Sequence, residues 1–236
     1  YYLDRVPYSG PVIKQLEIGL LTGEFKAGLK HGLWQTLNKI GQPIMVGHFV
    51  DGKKHGKFEQ WYDDGDKRHR ELIASFDMDK YVDEYREWYE NGKKSIVGFY
   101  VDGKEDGQYT EWYENGKKAL KAKYINGNPE GLYREWHPNG KKALKINYEN
   151  GKENGKWKQW FENGNKEMQI GYVNGIPRGR AKFWFSDGSI KGEGIVRSEV
   201  PGGGWILADP EGNKIRISNF AHLESGAMES RSCCNS

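Results

Sequence analysis

Apolar and polar positions alternate along this chain in short runs. In Tyr109-Thr110-Glu111-Trp112-Tyr113, residues 109, 111 and 113 fall on one side of an extended strand and 110 and 112 on the other. In Leu120-Lys121-Ala122-Lys123-Tyr124, the apolar side chains share one side and the two lysines the other. Such runs last about 6 to 8 residues, are rich in Trp, Tyr, Phe, Val and Ile, and read as strands. Between them stand two sets of Asn-Gly or Asp-Gly dipeptides. One ends at Gly65, Gly92, Gly116, Gly140, Gly164 and Gly188, the other at Gly52, Gly103, Gly127, Gly151 and Gly175. Both dipeptides suit type I′ turns, because both residues tolerate positive φ, so an antiparallel meander of hairpins is expected.

The alternation repeats. The pattern Gly-x-aromatic-x-x-aromatic-aromatic-x-x-Gly starts at Gly10, Gly32, Gly56, Asp83, Gly107, Gly131, Gly155, Gly179 and Gly203, and the last five intervals are each 24 residues. A fixed period of this size marks a repeat array. The expected fold is all-β: an elongated, single, twisted antiparallel sheet of about nine β-hairpin repeats, an open-ended solenoid-like ribbon in which neighbours share their stability. At ~4.8 Å per strand, about eighteen strands would span on the order of 85 Å before twist. The array is expected over 1–220, with atypical caps at about 7–30 and 201–220 and a disordered tail over 221–236.

Stacking the repeats brings Trp61, Trp88, Trp112, Trp136, Trp160 and Trp184 into register as one expected aromatic ladder, and Tyr62, Tyr89, Tyr113, His137, Phe161 and Phe185 as a second on the opposite side. One unit departs from the rule. The interval from Gly56 to Asp83 is 27 residues, so the irregular unit at 66–83 is expected to bulge or loop over Asp66–Asp79. Insertions in repeat arrays map to one face and are where partners often dock.

Composition narrows the chemistry. Aromatics make up 14% of the 236 residues and Gly contributes 32, which suits a thin sheet carried by Trp and Tyr. The 36 basic and 33 acidic residues leave a net charge of +3, which argues against nucleic acid as a partner. Cys233 and Cys234 are the only cysteines and cannot staple the fold. No His or Cys set has metal-ligand spacing, so no metal or cofactor is expected. His31 and His55 fill a slot that needs only a polar turn residue. Glu111 and Glu135 recur as repeat positions, which reads as solvated carboxylate rather than a catalytic pair, and no Gly-x-Ser-x-Gly elbow occurs. An enzyme is not expected.

The run Tyr-x-Glu-Trp-Tyr-Glu-Asn-Gly-Lys-Lys from Tyr109 to Lys118, with the following turn at Gly127 and the glycine at 131, resembles the variant MORN repeat. The resemblance covers about residues 30 to 190. It implies a non-catalytic, protein-binding scaffold, with an antitoxin or immunity protein that occludes a cognate toxin or effector enzyme as the leading expectation. The rival is a membrane- or envelope-tethering scaffold. Val6-Pro7-Tyr8-Ser9-Gly10 is similar to the start of such arrays in exported lipoproteins, which implies a periplasmic or cell-envelope setting through an anchor upstream of residue 1, the alternative being cytoplasmic. Expected contact residues are those that vary where the fold does not require it: Arg68, His69 and Arg70 in the insertion, and Arg134 with His137. The aromatic positions Trp88, Trp112, Trp136 and Trp160 come next.

Overall fold

The computed structural model describes residues 2–3, 6–63, 68–196, 205–208 and 214–217. The described residues form antiparallel strands and turns. The chain divides into two compact units, Tyr1–Gly140 and Lys141–Ser236.

In the first unit, strands Gly10–Leu16, Gly19–Lys26, Leu29–Asn38, Pro43–Val50, Lys53–Asp63, Arg68–Asp77, Lys80–Trp88 and Lys94–Val101 pair each with the next. Gly107–Trp112, Lys118–Ile125 and Gly131–Trp136 continue the meander. In the second unit, Gly155–Trp160 pairs with Lys142–Glu149 and Lys166–Val173. Gly179–Trp184, Ile190–Val196, Trp205–Ala208 and Lys214–Ile217 follow in order. The expected hairpin meander is thus the observed one among the described residues. The expected tail, with Cys233 and Cys234, lies outside the described residues.

The two sets of turns are built differently. Asn126-Gly127 is a two-residue turn: Ile125 pairs with Asn128, and φ is 51° and 80° at the two turn residues, the type I′ signature. Asp51-Gly52, Asp102-Gly103 and Asn174-Gly175 repeat it. So do Ala27-Gly28 and Met78-Asp79, whose composition had hidden them. The other set does not follow the type I′ expectation. Tyr113–Lys117 is a five-residue loop, closed by hydrogen bonds from Tyr113 N–H to Lys117 O (2.8 Å) and from Gly116 N–H to Tyr113 O (2.7 Å). Only its glycine has positive φ, 87°. A five-residue excursion fits because the flanking pairs shift register between Glu111 and Trp112, leaving Ala119 as a bulge.

The first glycine of each repeat also has a job. After each tight turn the returning strand pauses: Glu130 N–H bonds back to Lys123 O, and Gly131 takes φ 70°. Gly107 and Gly179 do the same, and Asp83 holds φ 60° in the unit that lacks a glycine there, a conformation that Asp tolerates better than most side chains.

Of the bulge or loop expected in the long interval, the described residues show the bulge, at Glu71. Arg68–Asp77 is a regular strand, because the insertion lengthens its hairpin: beyond the bulge at Glu71, Trp61, Tyr62 and Asp63 pair with Arg70, His69 and Arg68. Continued pairing satisfies backbone groups that a loop would have left to water. The apex at 64–67 lies outside the described residues.

The core sits on one side of each unit's sheet. In the first unit it runs through Phe25, Trp34, Phe49, Phe58, Ala74 and Phe76. Successive rings meet edge to face, with centroids 5.1 Å apart for Phe25–Trp34, 5.4 Å for Phe49–Phe58 and 5.0 Å for Phe58–Phe76. In the second unit Ile170, Ala181 and Val196 are buried beside Trp157 and Tyr172. The two expected columns do fall on opposite sides, but the ring contacts run elsewhere. The ring ladder zigzags between the third residue of each repeat and the aromatic two places before each tight turn, as in Tyr109–Tyr124 and Trp157–Tyr172. Trp61 lies on the side away from this core, because it alternates with Phe58 and Gln60, and the other tryptophans of its column follow by register.

Candidate functional site

Two faces of the sheet compete as sites, and register says which side chains each carries. The inward face bears the rings and, between them, a repeated Tyr–Glu motif. The Tyr85 hydroxyl donates to Glu87 (2.9 Å) and that of Tyr133 to Glu135 (3.0 Å). Burial pushes the Tyr85 and Tyr109 hydroxyls well above the usual tyrosine range, the neighbouring carboxylates adding to it, and raises Tyr124 to about 12. Burial likewise raises the Glu135 carboxyl, against the opposing effect of the Tyr133 hydroxyl bond. The solvated reading of Glu111 and Glu135 therefore needs correction: both are half-buried beside tyrosine rings, since they alternate with Thr110 and Arg134 and so share the core side.

The outward face carries the other expected contact residues. Trp88, Trp112 and Trp136 in the first unit, and Trp160 in the second, are half-buried at the ends of their strands. Lysines from the preceding hairpin cover such rings in the second unit. Lys142 Nζ stands 5.9 Å from the Trp160 ring and Lys166 Nζ 5.5 Å from that of Trp184. Arg134 is exposed, two residues before Trp136 on the same face, and directly opposite Lys121. His137 is not on this face. It opens a wide turn, where its carbonyl accepts from Gly140 N–H at 2.7 Å.

The insertion residues are tied into the fold rather than projecting from a loop. The Arg68 guanidinium lies 4.7 Å over the Trp61 ring and donates to Pro43 O at 2.6 Å. Arg70 bonds Glu59 at 2.7 Å. His69 packs against Tyr62 on the inward side, with centroids 5.5 Å apart. The structure thus brings Arg68 and Arg70 together around Trp61, and Trp112, Arg134 and Trp136 together in the later repeats of that unit, while His69 and His137 stand apart from both groups.

Pattern reasoning missed Lys118, Lys121 and Lys123. These flank Trp112 and Arg134 on the outward face. The signal was present in the lysines alternating with Leu120, Ala122 and Tyr124, but it looks the same as ordinary solvated charge until the pairing partner is known. Among the described residues no group of three or more His, Cys, Asp or Glu could hold a metal ion.

A comparison with curated proteins finds no match. Three consecutive stretches of the chain, 105–126, 129–150 and 153–174, match the model of the MORN repeat variant.

Proposed function

We propose that this chain is a binding protein of the antitoxin or immunity kind, which neutralises a cognate toxin or effector enzyme by covering its working surface. MORN-variant repeats suggest a repeat-based binding or scaffold role. The observation that carries the finer reading is a division of labour within each repeat. The turn asparagine, the turn glycines and the inward aromatic recur because the fold uses them. The outward position two before the tryptophan varies more: it is Glu59 and Thr110 in two repeats and basic, as Arg86, Arg134, Lys158 and Lys182, in the others. A scaffold held constant with a face left to vary is how repeat proteins acquire one partner. On this reading the encounter takes place in the periplasm or cell envelope, which fractionation of the native cell checks.

The test is co-expression. The products of neighbouring genes are expressed singly in a sensitive host, and then with this chain. A product that arrests growth alone, is tolerated with the chain, and co-purifies with it supports the proposal. If no neighbouring product is both toxic and relieved, the antitoxin reading fails. Co-sedimentation with envelope membranes without any protein partner would favour the tethering scaffold.

A further inference from the structure

The outward face of the hairpin Gly107–Ile125 and the strand Gly131–Trp136 carries Lys118, Lys121, Lys123 and Arg134, all exposed. Register places them close. Lys121 stands directly opposite Arg134 on one side and Thr110 on the other, Lys118 opposite Trp112 and Lys123 opposite Gln108. Like charges directly opposite each other in a sheet are destabilising. No carboxylate occupies an outward position of these three strands, and among the described residues none of the four cations makes an ion pair or a side-chain hydrogen bond.

On other strands the outward side neutralises several of its cations, although Lys145 stands directly opposite Lys158 without an ion pair among the described residues. Arg86 meets Glu84 at 2.7 Å, and Glu59 takes both Arg70 at 2.7 Å and Lys57 at 3.1 Å. In the second unit Glu193 holds Lys182 at 2.8 Å and Arg180 at 2.9 Å. The repeat can therefore supply a counter-charge, and in this stretch it does not. Exposed apolar side chains share the face: Phe99 is 42% exposed, Ile125 43% and Leu132 37%. Large apolar residues set among unpaired cations suit a protein interface, where apolar anchors exclude water and charge chooses the partner. They add nothing to a contact with a phosphate backbone. The charge of the whole chain is only +3, too small to draw in a polyelectrolyte at long range, so recognition here works at contact distance.

We infer that this face, from Phe99 to Trp136, is the docking surface for an acidic patch on a folded protein partner, with Lys121 and Arg134 at its centre. The inference rests on the proposed function and names where and by what chemistry the partner is held.

The test uses the full chain and the toxic neighbouring product identified by rescue. The charge reversal Lys121→Glu with Arg134→Glu is compared with a control, Lys39→Glu with Lys53→Glu, which changes net charge equally at exposed sites remote in sequence from the face. The expected result is at least about tenfold weaker binding and loss of rescue for the first pair, against wild-type behaviour for the control, with far-UV circular dichroism unchanged in both. Binding should also weaken as salt rises. Rescue that persists undiminished in Lys121→Glu/Arg134→Glu overturns the inference and leaves the antitoxin reading standing. Absence of any rescued product overturns both. Wild-type protein that co-sediments with phosphatidylserine-containing vesicles or binds a thymidine oligonucleotide, while the reversed variant does not, assigns the face to lipid or nucleic acid and overturns the inference too.

Discussion

At the scale of single residues, glycines separate two physical demands that composition merges. Gly47 has an ordinary φ, yet a Cβ there would stand 2.2 Å from the Phe58 ring; at Gly23 it would stand 2.2 Å from that of Trp34. The inward ring lies flat on the neighbouring backbone, and the space is already full. Gly56 is the reverse case: φ is 75° and nothing lies within 4 Å. Gly47→Ala should therefore cost about 1–3 kcal/mol through overpacking, and Gly56→Ala about 1 kcal/mol through backbone strain alone. Urea titration reads both. The distinguishing measurement is near-UV circular dichroism, which should change for Gly47→Ala and not for Gly56→Ala. The half-buried carboxyl of Glu135 makes a second prediction. Burial raises it in the folded state, so on raising the pH the unfolded chain loses this proton first. Ionisation therefore favours unfolding. The penalty is absent below the ordinary carboxyl range and complete above the raised folded value. Glu135→Gln keeps an acceptor for the Tyr133 hydroxyl, so it should raise the melting temperature at pH 7 and leave it unchanged at acid pH. Equal shifts at both pH values would contradict the burial argument.

At the scale of the element, the wide turns explain the repeat's most conspicuous run of residues. Asn115 Oδ1 accepts from Lys117 N–H at 2.9 Å and closes its own turn, while its Nδ2 donates to Pro138 O of the next turn at 2.7 Å. Lys117 reaches on to Asn139 O at 2.6 Å, and the Tyr113 hydroxyl donates to Trp136 O at 2.6 Å. Tyr89, Asn91 and Lys93 make the same bonds one repeat earlier. Each turn is thus fastened to its successor by side chains. Tyr113→Phe removes one such bond and leaves Trp136 O without that donor, at a cost of about 0.5–1.5 kcal/mol. Hydrogen exchange should show faster opening at turn 137–140 as well as at 113–117; protection lost only in the mutated turn would refute the coupling. The tight turns were legible because Asn-Gly and Asp-Gly report a local φ requirement. The wide turns share those letters, and only the bulge opposite Glu111, a property of two strands together, tells them apart. Which side of the tryptophan column is covered was not legible for a related reason. Alternation names two faces, but which one is covered depends on partners such as Gly47 and Ala122, whose small size carries no periodic signal. The insertion left a bulge and a loop equally open because its extra residues break the period; pairing across Tyr62 and His69, with the bulge at Glu71, absorbs them without breaking the strand.

At the scale of the whole molecule, the period itself becomes a thermodynamic statement. If each hairpin draws its stability from the neighbours on either side, a complete repeat is removable and any other length is not. Excising 107–130, one 24-residue period, joins Asp106 to Gly131, so the bulge glycine, the inward Tyr133 and Glu135 and the turn at 137–140 all keep their roles. The side chains of Asn91 and Lys93 would then face a turn of the same sequence class as the one they lost. Excising one residue more, 107–131, puts Leu132 where positive φ is needed or slips the strand by one. A one-residue slip turns every inward side chain outward: Tyr133 and Glu135 would leave the core side and Arg134 would enter it. The shorter excision should therefore keep β-sheet circular dichroism and a single unfolding transition in guanidinium, with a smaller m-value because less surface is exposed on unfolding. The longer one should broaden or split that transition. The shorter excision also removes Lys118, Lys121 and Lys123 while preserving the scaffold, so it should abolish rescue of the toxic product without unfolding the chain. Equal behaviour of the two excisions would mean that the repeats are a pattern in the sequence but not the units in which the molecule stores its stability.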